Sequence, residues 1–249
     1  MPVRIIPKDN QFPGGFNGGA ILERRPIMPE AGKGHLTPYS NLFYWAYAWS
    51  EEGSTIGLHP HKGFEIMSFV VKGSIEHYDS QLQSWRLLKA GDAQIIRSGN
   101  GISHSERLHP NSALFQIWVD PDLRQSFGQR ASYDDYASED FPVMMQHGIE
   151  TKVYCGENAP LCMEAEGISV AELRIPTGQY GYPIHTEQIL SAFLIEGQLT
   201  INDQSMEAGD FVRIQGEEKA NIDVSAASRL FVIQSPLRPS YRTYAERFA

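Results

Sequence analysis

An all-β protein made of two barrels, with few short helices, is what this sequence predicts, and three observations carry the prediction. Short runs rich in β-branched and aromatic residues recur along the whole chain. Glycine, proline, aspartate and asparagine bound these runs at close intervals, as many tight turns require. A block of the first half is also echoed in the second. Val71-Lys72-Gly73-Ser74-Ile75-Glu76 corresponds to Ile195-Glu196-Gly197-Gln198-Leu199-Thr200, and Lys89-Ala90-Gly91-Asp92 to Glu207-Ala208-Gly209-Asp210. His61 and His185 each stand twelve residues before the echoed glycine, so duplication of one barrel is the economical explanation.

In the first half the pattern predicts strands over 66–71, 93–96 and 114–119. Between Asp120 and Gly148 it is interrupted by Pro121, Gly128 and the acidic stretch Tyr133-Asp134-Asp135-Tyr136. The join is placed there, with short helices in part of it, and the expected domains are 1–130 and 131–249. The second half predicts strands over 152–154, 169–175, 192–195, 198–201, 211–214 and 230–233.

Two short dyads stand out inside the first barrel, His59-Pro60-His61 and His104-Ser105-Glu106. In a strand, residues i and i+2 share a face, so each dyad presents two donors to one point. Two such strands side by side offer three imidazoles and one carboxylate, a donor set for a first-row divalent ion such as iron, nickel, manganese, copper or zinc. With 8 histidines in 249 residues an isolated H-x-H arises easily by chance. The flanking turns strengthen this one: Gly53 precedes His59, Gly73 follows His61, and Ser98-Gly99-Asn100-Gly101 leads into His104. His185 has no later histidine to close a second site, so the first barrel alone is expected to hold metal. His35, His77, His109 and His147 fall outside both dyads and read as surface or capping residues. Gly32, Gly34 and Pro38 around His35 point to a mobile flap.

Composition narrows the function classes. A net charge of -9 without a basic stripe argues against direct nucleic-acid binding. No apolar run approaches a membrane span, and the start lacks the core of a signal peptide, so a cytoplasmic protein is expected. The only cysteines, Cys155 and Cys162, read as unpaired thiols.

The phrases His59-Pro60-His61-Lys62-Gly63-Phe64-Glu65-Ile66, Ser98-Gly99-Asn100-Gly101-Ile102-Ser103-His104-Ser105-Glu106 and Phe115-Gln116-Ile117-Trp118-Val119 resemble the pirin family of the cupin superfamily. Pirins are bicupins, which matches the repeat and implies two cupin barrels of the jelly-roll type. Many cupins carry a carboxylate ligand at the position held here by Ile66, and Glu65 is one residue out of phase. The pirin pattern instead supplies Glu106, and by this resemblance His59, His61, His104 and Glu106 bind one metal, chiefly Fe(II). Away from residues 53–119 the resemblance lies in layout. The stretch Asn41–Trp49 lacks the acidic Phe-Asp phrase of many members, and a different sequence follows Pro236-Leu237.

Some bacterial pirins resemble quercetin 2,3-dioxygenases in activity, which implies an oxygenase acting on a flavonol-like or other enolisable small molecule, with Glu106 as general base. Ile66, Ser68, Gln116 and Trp118 are candidate pocket walls. Eukaryotic pirins imply a different class, an iron-binding, redox-responsive regulator that binds a protein partner without turnover. A zinc or manganese isomerase or hydrolase is the third reading.

Overall fold

The computed structural model describes residues 2–30, 34–185 and 187–248. Among these residues the fold is nearly all strand, with one four-residue α-helix, Leu123–Ser126, and short 3-10 turns. Its two compact units are each discontinuous in sequence.

One unit comprises Phe12–Asp140, Met163–Ala165 and Tyr241–Ala249. It contains a seven-stranded sheet in the order Ser132–Tyr136, Ala93–Arg97, Glu65–Lys72, Ser112–Val119, Leu42–Ser50, Ile21–Ile27, Phe12–Phe16. Its second sheet has four strands in the order Ser54–His61, Ile102–Leu108, Ser74–Asp79, Arg86–Lys89. Ile21, Ala48, Val70 and Leu114 of the larger sheet meet Ile75, Leu88 and Leu108 of the smaller in one apolar cluster. Further along the same interior, Ile66 and Ile96 meet Ile102 and Ala131. Between these clusters the strand Ile102–Leu108 carries His104 and Glu106, both buried, so the polar centre sits between two apolar layers.

The other unit comprises Met1–Gln11, Phe141–Cys162 and Glu166–Ser240. Its nine strands form one sheet running Val3–Ile6, Phe211–Gln215, Gln188–Ile201, Lys219–Pro236, Ser169–Ile175, Ile149–Cys155, Val143–Gln146, with Gly178–Pro183 and Gln204–Glu207 alongside. Leu173, Leu190, Leu194, Ile201, Val212, Ile214, Leu230 and Val232 belong to one continuous aliphatic cluster in this unit. The ladder explains why Met1–Gln11 groups with late sequence: Val3 to Ile6 pair antiparallel with Ile214 to Phe211. Whereas the sequence reading sets a single boundary at 130/131, these units exchange segments near both ends of the chain.

Two local expectations change. The acidic stretch in the join is a strand, Ser132–Tyr136, paired antiparallel with Ala93–Arg97. It is an edge strand whose carboxylates are satisfied across the ladder, by Arg97 to Asp134 at 2.7 Å and Gln94 to Asp135 at 2.6 Å. The two strands expected on either side of Gly197 are one, Gln188–Ile201, with register shifts around Glu196 and Gln198. Gly197 has φ +92°, and a Cβ there would stand 2.3 Å from Ser228 Oγ, so the glycine makes a bulge rather than a turn. At the echoed Gly73 the chain instead leaves the seven-stranded sheet for the four-stranded one. Cys155 is buried and Cys162 exposed, and each donates its thiol to a backbone carbonyl, of Ile168 at 3.6 Å and of Pro160 at 3.5 Å.

Candidate metal centre

The strand Ser54–His61 lies antiparallel to Ile102–Leu108, and His59 is directly opposite His104. Directly opposed residues of an antiparallel pair project from the same face. The ring centres of His59, His61 and His104 stand 4.4 to 4.8 Å apart, and one ligand atom from each lies within 4.8 Å of the others. The loop ahead of His104 is tightly fixed. Gly99 has φ +47°, a Cβ there would meet Gln129 O at 2.6 Å, and Gly99 O accepts the Gly63 N–H at 2.9 Å.

Glu106 is buried on the same strand but lies outside this group of three. The ladder with Ser74–Asp79 keeps His104 and Glu106 in a regular i, i+2 relation, while one extra residue in Ser54–His61 sets Glu106 opposite Ile56. Its Oε2 accepts Gln116 Nε2 at 2.6 Å, and its Oε1 accepts Ser68 Oγ at 3.4 Å. Trp118 Nε1 in turn donates to Gln116 Oε1 at 3.1 Å. Three of the four candidate walls therefore meet the centre: Ser68 and Gln116 hold the carboxylate, and Trp118 stands 5.2 Å from the His61 ring. Ile66 packs into the apolar layer with Ile96 and Ile102. Glu65 turns to other work, accepting the backbone N–H groups of Glu164 and Ala165 at 2.8 Å each.

The three histidines fit a transition-metal ion. His59 Nδ1 donates to Gly57 O at 2.8 Å, which leaves its Nε2 as the lone-pair nitrogen. His61 Nε2 and both ring nitrogens of His104 are buried without a hydrogen-bond partner, a costly arrangement that a bound ion would relieve. Burial, then the neighbouring His104 and His59, pushes the His61 imidazole down to about 3. Burial and the neighbouring His59 and His77 likewise hold His104 well below its usual range. Both rings are therefore neutral near pH 7, the form that ligates metal.

The remaining histidines separate. His147 is exposed, and His109 is partly exposed beside Glu76 at 3.2 Å. His35 is buried, with Nε2 2.7 Å from Glu30 O and its ring edge-on to Phe12. That contact corrects its surface assignment, and Gly32 of the expected flap lies outside the described residues. His77 is corrected too. It is 1% exposed, its Nε2 is 3.2 Å from Asp79 Oδ2, and its ring centre is 5.6 Å from that of His104. His77-x-Asp79 has the same i, i+2 spacing as the two dyads, a signal the sequence offered. His185 is exposed, and its backbone N–H donates to Gln234 Oε1 at 3.0 Å.

A second buried polar group, Glu23 with Arg25 and Tyr44, left no motif. Glu23 Oε2 pairs with Arg25 Nη2 at 2.5 Å, and Tyr44 stacks on Trp118 with ring centres 4.2 Å apart. Burial raises the Glu23 carboxyl and the Tyr44 phenol, and the charge of Glu106 adds to both shifts.

The pirin family model matches residues 36–119, and the model for the quercetinase C-terminal cupin domain matches residues 169–234. A Pseudomonas aeruginosa protein provisionally named quercetin 2,3-dioxygenase is 26% identical over 238 residues, covering 86% of this chain and 99% of that protein. The quercetin 2,3-dioxygenase of Escherichia coli K12 is 42% identical over 76 residues, 29% of this chain and 32% of its own. Among solved structures, the nickel(II) complex of the bacterial pirin YhhW from E. coli superposes with TM-score 0.76 at 22% identity, covering 94% of this chain and 99% of that one. With the pirin model and the quercetinase C-terminal cupin model matched in that order along the chain, this chain belongs to the pirin family of bicupins.

Proposed function

We propose that this chain is a metal-dependent oxygenase of the quercetin 2,3-dioxygenase type, acting on a flavonol-like or other enolisable small molecule. His59, His61 and His104 are its metal ligands, with Glu106 as fourth ligand and general base. Fe(II) is the expected ion, and nickel, manganese, copper and zinc suit the same donors. The observation that carries the reading is the convergence of three imidazoles, with unsatisfied buried nitrogens on His61 and His104, beside a buried carboxylate. The names of the E. coli and P. aeruginosa relatives support the choice of reaction class.

A divalent ion on these histidines supplies Lewis acidity, which favours ionisation of an enolic hydroxyl, and open positions for exogenous ligands. The chain's own residues supply the rest. Glu106 accepts the hydroxyl proton on Oε1, the oxygen held only by the long 3.4 Å contact with Ser68, while Gln116 keeps Oε2 in place. Phe64 and Trp118, stacked with ring centres 5.1 Å apart, stand beside His61 and give a planar substrate an apolar edge to lie against.

The test is oxygen consumption with quercetin by apo-protein loaded anaerobically with Fe(II), Ni(II), Mn(II), Cu(II) or Zn(II), with metal content determined for each sample. Metal-dependent uptake that His104→Ala abolishes supports the oxygenase. Full occupancy without uptake for any metal overturns it and favours the iron-dependent regulator that binds a protein partner.

A further inference from the structure

His77 and Asp79 lie one strand beyond the metal centre. On the strand Ser74–Asp79, Asp79 is directly opposite His104 and His77 directly opposite Glu106, so both share the inward face with them. Both are buried, at 1% and 0% exposure. Asp79 is pinned as an acceptor: Oδ1 receives the N–H groups of Gln81 and Leu82 at 2.7 and 2.8 Å, and Oδ2 faces His77 Nε2 at 3.2 Å. The proton of a neutral His77 therefore sits on Nε2 and donates to Asp79. This leaves Nδ1 with a lone pair, and Nδ1 is buried without a partner.

His104 presents the complementary need. A neutral imidazole that gives one nitrogen to an ion carries its proton on the other, and ligating histidines depend on an acceptor for that N–H to fix ring orientation and tautomer. His59 has such an acceptor in Gly57 O. His104 has none, since both its nitrogens are buried and unpaired. The neighbouring ring with an unused lone pair is His77, with centres 5.6 Å apart, close enough for nitrogens on facing edges to approach hydrogen-bond reach.

We propose that His77 and Asp79 form a positioning dyad for the metal ligand His104: Asp79 sets the tautomer of His77, and His77 Nδ1 accepts the non-coordinating N–H of His104. The inference rests on the metal-centre reading and goes beyond it, because it makes the affinity for the ion depend on two residues that do not touch it. It also explains why a strand bordering the centre buries a histidine and an aspartate where the sheet otherwise offers aliphatic side chains such as Ile75 and Leu88.

The experiment is Co(II) titration of full-length apo-protein, reading affinity and the visible spectrum of the bound ion, with apo-state folding checked by circular dichroism. Wild type is expected to bind one equivalent, and His104→Ala to lose it. His77→Leu should bind 10 to 100-fold more weakly and with an altered spectrum. His77→Asn, whose amide oxygen can take the place of Nδ1, should stay within a few-fold of wild type. Asp79→Asn is the sharper test. Its amide keeps an oxygen for Gln81 and Leu82 but turns a donor towards His77, moving the His77 proton to Nδ1, where it opposes the N–H of His104. That variant should weaken binding as His77→Leu does, although no hydrogen-bonding group has been deleted. Wild-type affinity and spectrum in His77→Leu overturn the dyad while leaving the three-histidine centre standing. Failure of wild type to bind overturns both. Should His77→Leu not fold, equal affinity of Asp79→Asn and His77→Asn overturns the dyad on its own.

Discussion

Gln116 donates through Nε2 to Glu106 Oε2 at 2.6 Å, and it is the short contact of the two that hold this carboxylate. Gln116 is itself fixed by Trp118 Nε1 on its amide oxygen, so the Glu106 carboxylate is oriented from the strand Ser112–Val119 of the larger sheet, opposite the histidines on the smaller one. An ion ligated by Glu106 would be a further partner for a carboxylate that Gln116 and Ser68 already hold, and that difference can be measured.

Gln116→Leu leaves the buried Glu106 with Ser68 alone. Loss of a hydrogen bond to a charged group costs about 1.5–3 kcal/mol, and this destabilisation is expected in the apo-protein. With an ion bound, Glu106 has another partner and the cost should shrink. Urea unfolding of apo and Ni(II)-loaded samples checks the point, and an equal loss in both states would show that Glu106 does not join the centre.

Acid should weaken the apo-protein through His61. Burial holds its folded value near 3, below the ordinary 6.5, so the unfolded chain takes up the proton first. The contribution is intact above pH 6.5 and is lost progressively as pH falls towards 3. Between pH 6.5 and 5 the loss is at most about 2 kcal/mol, lessened by the partial exposure of the ring. His61→Asn should flatten that part of the stability profile in urea melts at pH 7.5, 6 and 5. Parallel profiles for the variant and wild type would contradict the assignment.

Glu65 ties the short segment Met163–Ala165 to the unit that carries the histidines. Burial raises its carboxyl to about 7, against the pull of the two backbone N–H donors and Arg97. Glu65→Ala removes two acceptors from amides at or near the buried interior, a cost of about 2–4 kcal/mol. Hydrogen exchange should accelerate at the amides of Glu164 and Ala165 before it does so in the strand Ser112–Val119. Unchanged protection at those two amides would mean that other contacts hold the segment.

The elements legible in the sequence are those whose strand character is local. Glu65–Lys72, Ser112–Val119 and Ser169–Ile175 are runs of β-branched and aromatic residues, and they form where the pattern puts them. Ser132–Tyr136 was not legible, because two adjacent aspartates disfavour a strand and only the partners Arg97 and Gln94 make them acceptable. Gly197 was ambiguous for a related reason: a left-handed glycine serves a turn or a bulge equally, and the pairing of both flanks with Lys219–Pro236 decides. Within the site, the period of two found His59, His61 and His104. It also put Glu106 on the face of His104, but the extra residue in Ser54–His61 that sets Glu106 opposite Ile56 has no signature in a single sequence. His77 and Asp79 were within reach of the same rule. Glu23 and Tyr44 come from strands that are neighbours only in the folded sheet.

The pairing of Val3–Ile6 with Phe211–Gln215 also bears on how the protein is made. At ribosomal speeds of 5–20 residues per second, roughly 10–40 s separate the synthesis of the first strand from that of its partner. During that interval Val3–Ile6 has no ladder to join, while Phe12–Asp140 can already be gathering its own sheets. The ladder is also among the most non-local in the molecule, and closing it late imposes a loop-entropy cost that local hairpins avoid. Vulnerability to proteases and to strand exchange between copies is therefore expected at Val3–Ile6 and at the edge it will cover, well away in sequence from His59, His61 and His104.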